Sequence, residues 1–230
     1  MNKKKIVVTG SSRGIGKETV RSLLEQGHEV LAISRNCVLL KDLEEVYDGL
    51  TALEVDFTED EGLDKITAFA GSHWRSLDGL VHNAGVLLNK PFEETTANDM
   101  MSVYQVNVFS VSELTRRLLP FFSKGAHVVG ISSMGGIQGS MKFPGLAAYS
   151  SSKGALITLM ELLAEEYKER GLFFNTLALG AVQTEMLKEA FPGYEASVTA
   201  ERMGDYIAGF VLNGQELFNG KVLQVSNSTP

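Results

Sequence analysis

At 230 residues, 44% of them hydrophobic, the chain can bury a sizeable core as one large α/β domain and needs no second one. A formal charge of −7 argues against a general nucleic-acid or anionic-membrane binder, since both need a basic face. One cysteine, Cys37, excludes an internal disulfide, the apolar run "IVV" is too short for a secretory signal, and no stretch approaches ~18 uninterrupted apolar residues, so a cytoplasmic protein is expected.

Strands and helices alternate along the chain. "KIVVTG" (5–10) reads as a buried strand and "GKETVRSLLEQG" (16–27) as a helix stopped at Gly27. "EVLAIS" (29–34) is a second strand, "LLKDLEEVYDG" a helix, and "LTALEVD" (50–56) a third strand. "LDKITAFAG" is a weaker helix, and "LDGLVHNAG" (77–85) a fourth strand running into a loop. Residues 98–122 read as a long helix and "AHVVGISS" (126–133) as a fifth strand. A second long helix opens with "AAYSSSKGA" (147–155) and reaches about Arg170. A sixth strand (172–180), a helix over about 200–213 and a short strand in "GKVLQVS" complete the pattern. Such alternation predicts an α/β fold of three layers, a doubly wound parallel sheet with helices on both faces and ligands at the carboxyl ends of the strands. No linker, repeat or low-complexity segment divides residues 1–230, so a single domain is expected.

The first strand–helix turn is "TGSSRGIG", Thr9 to Gly16. Gly10, Gly14 and Gly16 stand where the chain must turn tightly, pass close to a ligand and start a helix, so that a pyrophosphate meets free N–H groups and the positive helix end. By itself this is a weak signal whose rival is an ordinary tight turn; its place after the first strand favours dinucleotide binding. The second strand ends in Ser34-Arg35-Asn36. An NAD site places an acid there for the ribose 2′-hydroxyl, whereas Arg35, helped by Arg13, offers a cation for the 2′-phosphate of NADP. NADP(H) is therefore expected in preference to NAD(H).

"TGSSRGIG", "HNAG" (82–85), "NVFS" from Asn107, "ISS" (131–133) and "YSSSK" follow one another in an order and spacing that resembles the short-chain dehydrogenase/reductase family. The resemblance runs from Lys5 to about Val225 and rests on five motifs. It implies a Rossmann-type sheet, NAD(P)(H) as hydride carrier, and a small-molecule carbonyl or alcohol substrate. Tyr149 is then the general acid and base, Lys153 one helical turn later stabilises its phenolate, Ser133 polarises the substrate carbonyl, and Asn107 supports Lys153 through a water. The cofactor residues implied are Gly10, Ser11, Ser12, Arg13, Gly14, Ile15 and Gly16 in the loop, then Ser34, Arg35 and Asn36. Asp56 and Phe57 fall at the adenine, Asn83, Ala84 and Gly85 in the cleft, and Tyr149 and Lys153 at the nicotinamide ribose. Gly180, Val182 and Thr184 complete the set, with Thr184 at the carboxamide. Pairing through the two long helices makes a homodimer or homotetramer the expected assembly.

Each assignment has a plainer rival. Tyr149 and Lys153 alone are a chance-level pair on a helix, Asn107 could hold an internal water, and Ser132 could stand in for Ser133. The histidines His28, His73, His82 and His127 form no cluster, and no metal site is expected. Met134, Gly135, Phe143, Met186 and Leu187 are the candidate substrate-pocket residues and suggest an apolar or mixed molecule. Three features depart from the family pattern. Sixteen positions separate Ser133 from Tyr149, about three more than usual, which a glycine-rich loop can absorb. Leu179 stands where the family has proline, and the C-terminal stretch "NGKVLQVSNSTP" lacks the family's usual Gly-Gly; the segment from Met186 to Gly204 is also short, which predicts an open pocket or one completed by a neighbouring subunit. Two other readings are a catalytically silent NADP-binding regulator of the same fold and an epimerase or dehydratase of the family's extended branch. The glycine spacing and the short C-terminal part speak against the latter.

Overall fold

The β-branched runs lie side by side in one seven-stranded sheet, which the computed structural model describes together with its helices for residues 3–227. The strands are β1 (Lys5–Thr9), β2 (Glu29–Ser34), β3 (Leu50–Glu54), β4 (Leu77–His82), β5 (Phe122–Ser133), β6 (Phe173–Leu179) and β7 (Val222–Val225). Their order is β3-β2-β1-β4-β5-β6-β7 and every pairing is parallel. The order reverses between β1 and β4, so a crevice opens at the carboxyl ends of these two strands.

Strand periodicity decides what each face covers. In β1, Val7 points into one apolar cluster and Ile6 and Val8 into the other. The first cluster is closed by α3 (Asp60–Phe69), α5 (Ser110–Leu118) and α6 (Ala147–Glu166), through Leu63 and Ile66, Leu114 and Leu118, and Leu156 and Met160. The second is closed by α1 (Gly14–Glu25) and α8 (Ala200–Asn213), through Val20, Leu23, Ile207 and Val211. These two helices approach so closely that a Cβ at Gly204 would lie 2.5 Å from the Glu18 Cβ.

Four elements differ from the sequence reading. The helix expected after β2 shrinks to a 3-10 turn, Val38–Leu40, and one α turn, Lys41–Glu44. β5 starts at Phe122, because Pro120 tightens the preceding helix into a short 3-10 turn. The long helix expected over 98–122 is α4 (Ala97–Tyr104) and α5 joined by a wider π turn at Gln105–Phe109. An additional helix, Glu185–Ala190, forms in the short segment after β6, with the Thr184 hydroxyl accepting from the Leu187 N–H at 3.2 Å. It is called the lid helix below.

Candidate active site

The glycine loop connects β1 to α1 over the crevice. Gly10 and Gly14 adopt φ of 66° and 55°, a backbone region that costs side-chain-bearing residues energy. A Cβ at Gly10 would stand 2.6 Å from the Ala84 Cα, and one at Gly16 would stand 2.2 Å from the Gly10 carbonyl oxygen. Asn83 braces the same turn, its Nδ2 donating to the carbonyls of Thr9 and Gly10 at 3.2 and 2.9 Å, while the Ala84 N–H donates to Thr9 Oγ1 at 3.1 Å. These contacts hold the loop open above the first turn of α1, the shape that a diphosphate requires.

A cavity of about 1080 Å³ runs from this loop in both directions along the carboxyl ends of the strands. Toward β2 and β3 it is lined by Ser34, Arg35, Asn36, Asp56 and Phe57. Arg35 is exposed and makes no ion pair among the described residues, whereas Arg13 lies 3.5 Å from Glu189 at the end of the lid helix. Asp56 accepts from the Thr58 N–H and hydroxyl at 2.9 and 2.7 Å through one oxygen, Oδ1. Ser12, Arg13, Gly14 and Ile15 line the middle, and Gly180, Val182 and Thr184 close it from β6. Ser11 and Gly16 depart from the sequence expectation, since neither lines the cavity. Ser11 is buried with its hydroxyl donating to the Ile33 carbonyl at 3.0 Å, and Gly16 supports the turn from beneath.

Toward β4 to β6 the cavity is lined by Gly85, Ser133, Tyr149 and Lys153. The two serines ending β5 divide the work that the sequence leaves open. Ser132 and Ser133 both line the cavity; the buried Ser132 donates its hydroxyl to the Lys153 main-chain carbonyl at 2.9 Å, while the Ser133 hydroxyl accepts from the Gly135 N–H at 3.2 Å and stands beside the Tyr149 phenol. Lys153 Nζ donates to the Ile131 carbonyl at 2.8 Å and lies 5.8 Å from the centre of the Tyr149 ring. A Cβ on Gly85 would come 3.2 Å from that Nζ, so a larger residue there would press on the ammonium. Burial pushes the Tyr149 phenol above its ordinary value, with the Ser133 hydrogen bond opposing it, and burial lowers Lys153 to about 8. The depressed phenol expected from sequence is thus not present in the chain itself, because desolvation outweighs an ammonium that is turned to a backbone carbonyl.

Asn107 is fully buried at the π turn and does not line the cavity. Its Oδ1 accepts from the Val86 N–H at 2.9 Å, and its Nδ2 donates to the Val86 carbonyl and to Ser152 Oγ at 3.0 and 2.9 Å. Ser152 in turn donates to the Tyr149 carbonyl at 2.7 Å. Asn107 therefore ties the loop after Gly85 to the helix that carries Tyr149 and Lys153.

The longer connection between Ser133 and Tyr149 folds back on itself. Ser140 Oγ donates to the Met134 and Ile137 carbonyls at 2.6 and 2.9 Å, and Lys142 Nζ donates to the Gly135 and Ile137 carbonyls at 2.7 and 2.6 Å. Gly136 rests on α6, where a Cβ would be 2.8 Å from the Gly154 nitrogen. Met134, Gly135 and Phe143 of this connection line the cavity together with Ser133 and Tyr149.

The comparisons with known proteins agree with this geometry. The family model described as short chain dehydrogenase matches residues 4–195. The chain belongs to the short-chain dehydrogenase family. Among its relatives, a protein of Sus scrofa named carbonyl reductase [NADPH] 2 is 33% identical over 183 residues, covering 78% of this chain and 72% of its own. A protein of Eggerthella lenta named 3beta-hydroxysteroid dehydrogenase 1 is 28% identical over 205 residues, covering 87% of this chain and 78% of its own. The crystal structure of a short-chain dehydrogenase/reductase from Brucella melitensis superposes with a TM-score of 0.89 at 20% identity, over 99% of this chain and 96% of that one. This short-chain dehydrogenase is accordingly an oxidoreductase acting on carbonyl or CH–OH groups, with a Rossmann-type sheet for a nicotinamide dinucleotide.

Met134, Phe143 and Met186, the candidate substrate residues, line the same cavity as Tyr149. The sequence reading missed Leu87, Glu185, Phe191 and Tyr194, which line it as well. Phe191 and Tyr194 are aromatic residues in an otherwise polar short segment, a signal that could have marked them. With Met186 and Leu187 they line the cavity from this chain itself. Leu179 pairs with Ser133 and Val225 at the end of β6, and the Gly180 N–H donates to the Val225 carbonyl at 3.0 Å, so the ladder holds the turn that a proline would otherwise stiffen. Among the described residues no helix is long and apolar enough to cross a membrane.

Proposed function

We propose that this chain is an NADP(H)-dependent oxidoreductase that interconverts a carbonyl and a secondary alcohol, with Tyr149 moving the proton at the substrate oxygen. The observation that carries the reading is the meeting of the Ser133 hydroxyl, the Tyr149 phenol and the Lys153 ammonium in the cavity that also reaches Arg35. The glycine cradle fits a dinucleotide diphosphate, and the uncommitted Arg35, with Arg13 beside the loop, fits a 2′-phosphate. The Sus scrofa relative carries NADPH in its name, which supports the same preference.

A nicotinamide dinucleotide supplies or accepts the hydride when bound; the remaining work belongs to the chain. Ser133 donates to the substrate carbonyl oxygen and fixes it beside the phenol. Tyr149, kept protonated at neutral pH by burial, delivers its proton to the oxygen as negative charge develops there, and in the reverse direction takes it back. Lys153 stands one turn away and offers positive charge toward the phenolate that remains. A neutral phenol held ready suits reduction as the working direction. The exposed Met101, Phe109 and Leu162 on α4, the π turn and α6 support pairing of copies through these helices, as a dimer or tetramer of a cytoplasmic enzyme.

The test is NADPH consumption over a carbonyl panel by the unmodified chain and by Tyr149→Phe. Turnover that the variant loses, with NADPH binding retained, is the expected result. Binding of NADPH without turnover of any compound replaces this reading with the silent regulator.

A further inference from the structure

The charges around the cavity are divided by the switch point, and the division bears on the substrate. Among the described residues, five charged side chains line the cavity: Arg13, Arg35, Asp56, Lys153 and Glu185. Arg13, Arg35 and Asp56 sit at the ends of β1, β2 and β3, on the dinucleotide side. Lys153 is buried and donates to the Ile131 carbonyl. Glu185 Oε2 would lie 3.5 Å from a Cβ on Gly14, so this acid stands at the glycine loop and adds negative charge there.

The cations nearest the other half are committed elsewhere. Lys90 pairs with Asp99 at 2.8 Å. Lys142 is spent on the Gly135 and Ile137 carbonyls. Lys188 faces a separate small hollow behind the glycine loop, shared with Lys17 and Glu18. What surrounds Ser133 and Tyr149 is apolar and partly aromatic: Leu87, Phe143, Leu146, Met186, Phe191 and Tyr194. A carboxylate or phosphate placed there would lose its water without gaining a partner, and a polyol would leave most of its hydroxyls unpaired.

We infer that the substrate is a neutral, hydrophobic ketone, aryl or alicyclic, or the corresponding secondary alcohol, and that anionic and polyhydroxylated carbonyl compounds are rejected by the β4–β6 half of the cavity. This rests on the oxidoreductase reading for its chemistry, but its selectivity lies in the wall and can be measured as binding. The reaction balances within that reading: the carbonyl carbon gains a hydride from the reduced nicotinamide, which is oxidised, and its oxygen gains the proton of Tyr149, which solvent restores.

The experiment compares acetophenone, 4-acetylbenzoate and fructose on the full chain, as substrates with NADPH and as ligands of the protein–NADP+ complex by calorimetry. Acetophenone is expected to exceed 4-acetylbenzoate by about 100-fold in both readouts, since the added para carboxylate brings a charge that the wall leaves unpaired. Fructose is expected to give neither heat nor turnover. In Met186→Lys the gap between the two aryl ketones is expected to narrow by at least about tenfold, because a cation now faces the carboxylate. Equal or tighter binding of 4-acetylbenzoate or fructose overturns the inference, as does failure of all three to bind. If acetophenone binds with this preference but neither it nor any compound of the carbonyl panel is reduced, the oxidoreductase reading falls and the selectivity of the wall stands.

Discussion

The Ser132 hydroxyl donates to the main-chain carbonyl of Lys153 across 2.9 Å, pinning the end of β5 to the helix that carries the reactive pair, while its neighbour Ser133 faces the cavity. Adjacent strand residues point to opposite faces, so one serine holds the frame and the other meets substrate. Ser133→Ala is expected to lower kcat by roughly 10²-fold with little change in melting temperature, as expected for loss of a donor to a developing oxyanion. Ser132→Ala is expected to cost about 0.5–1.5 kcal/mol of unfolding free energy, the net worth of one buried hydrogen bond to a carbonyl that keeps its helical partner, with a much smaller effect on kcat. Steady-state kinetics beside urea denaturation of both variants checks the split.

Gly136 rests on the Lys153–Gly154 peptide, with a Cβ position 2.8 Å from both the Gly154 nitrogen and the Lys153 carbonyl carbon. Backbone atoms cannot yield as a flexible side-chain tip does. Gly136→Ala is expected to destabilise by roughly 1–3 kcal/mol and to displace Lys153. Thermal unfolding and kcat are expected to fall together, and an unchanged melting temperature would show that the loop carries no strain.

Lys153 is buried, and burial lowers it to about 8 from an ordinary value near 10.4. A lysine held below its unfolded value favours folding when uncharged, so that stability is present above about pH 10.4 and lost as pH falls through about 8. At neutral pH the buried ammonium is therefore a cost. Lys153→Met is expected to raise the unfolding free energy by up to about 3 kcal/mol at pH 7 while cutting turnover severely. In the unmodified enzyme, kcat/KM for reduction is expected to decline above pH about 8 as this proton leaves. Denaturation of the variant and a pH–rate profile of the parent test both statements.

His82 and His127 are buried, and burial lowers them to about 3 and about 4. Both fold in the neutral form, so their stability contribution is complete above the unfolded value near 6.5 and is lost as pH falls toward the folded values. Each histidine is expected to remove roughly 1.4 kcal/mol per pH unit below about 6. Unfolding free energy measured from pH 7 to pH 4, with His127→Gln flattening the acid limb, checks the sign.

Arg35 makes no ion pair among the described residues and lines the dinucleotide end of the cavity. Arg35→Asp is expected to weaken NADPH by roughly 10- to 100-fold, through loss of charge-assisted bonds and repulsion of the 2′-phosphate, while leaving NADH nearly unchanged. Thermal shift with the two cofactors reads this directly, and stronger stabilisation of the unmodified chain by NADH would overturn the preference.

What was legible in advance was what neighbouring residues enforce. Alternating strand and helix periods, the glycines of Thr9–Gly16 and the cation after β2 each act over a few residues; all seven strands form, and the glycine turn follows β1 as the sequence places it, while the helix after β2, the start of β5, the helix over 98–122 and the helix at Glu185–Ala190 differ. The sequence by itself also brought Tyr149 and Lys153 onto one helix, four positions apart. Tertiary packing alone decided the rest. Which of the Ser132 and Ser133 hydroxyls is tied to the Lys153 carbonyl depends on the face of β5 that meets α6, and the partners of Asn107 depend on a π turn that local propensity does not encode. The raised phenol at Tyr149 follows from burial, a property of the whole fold. The apolar wall around it gathers residues from the loops after β4, β5 and β6, far apart in the chain and adjacent only once the sheet has set their order.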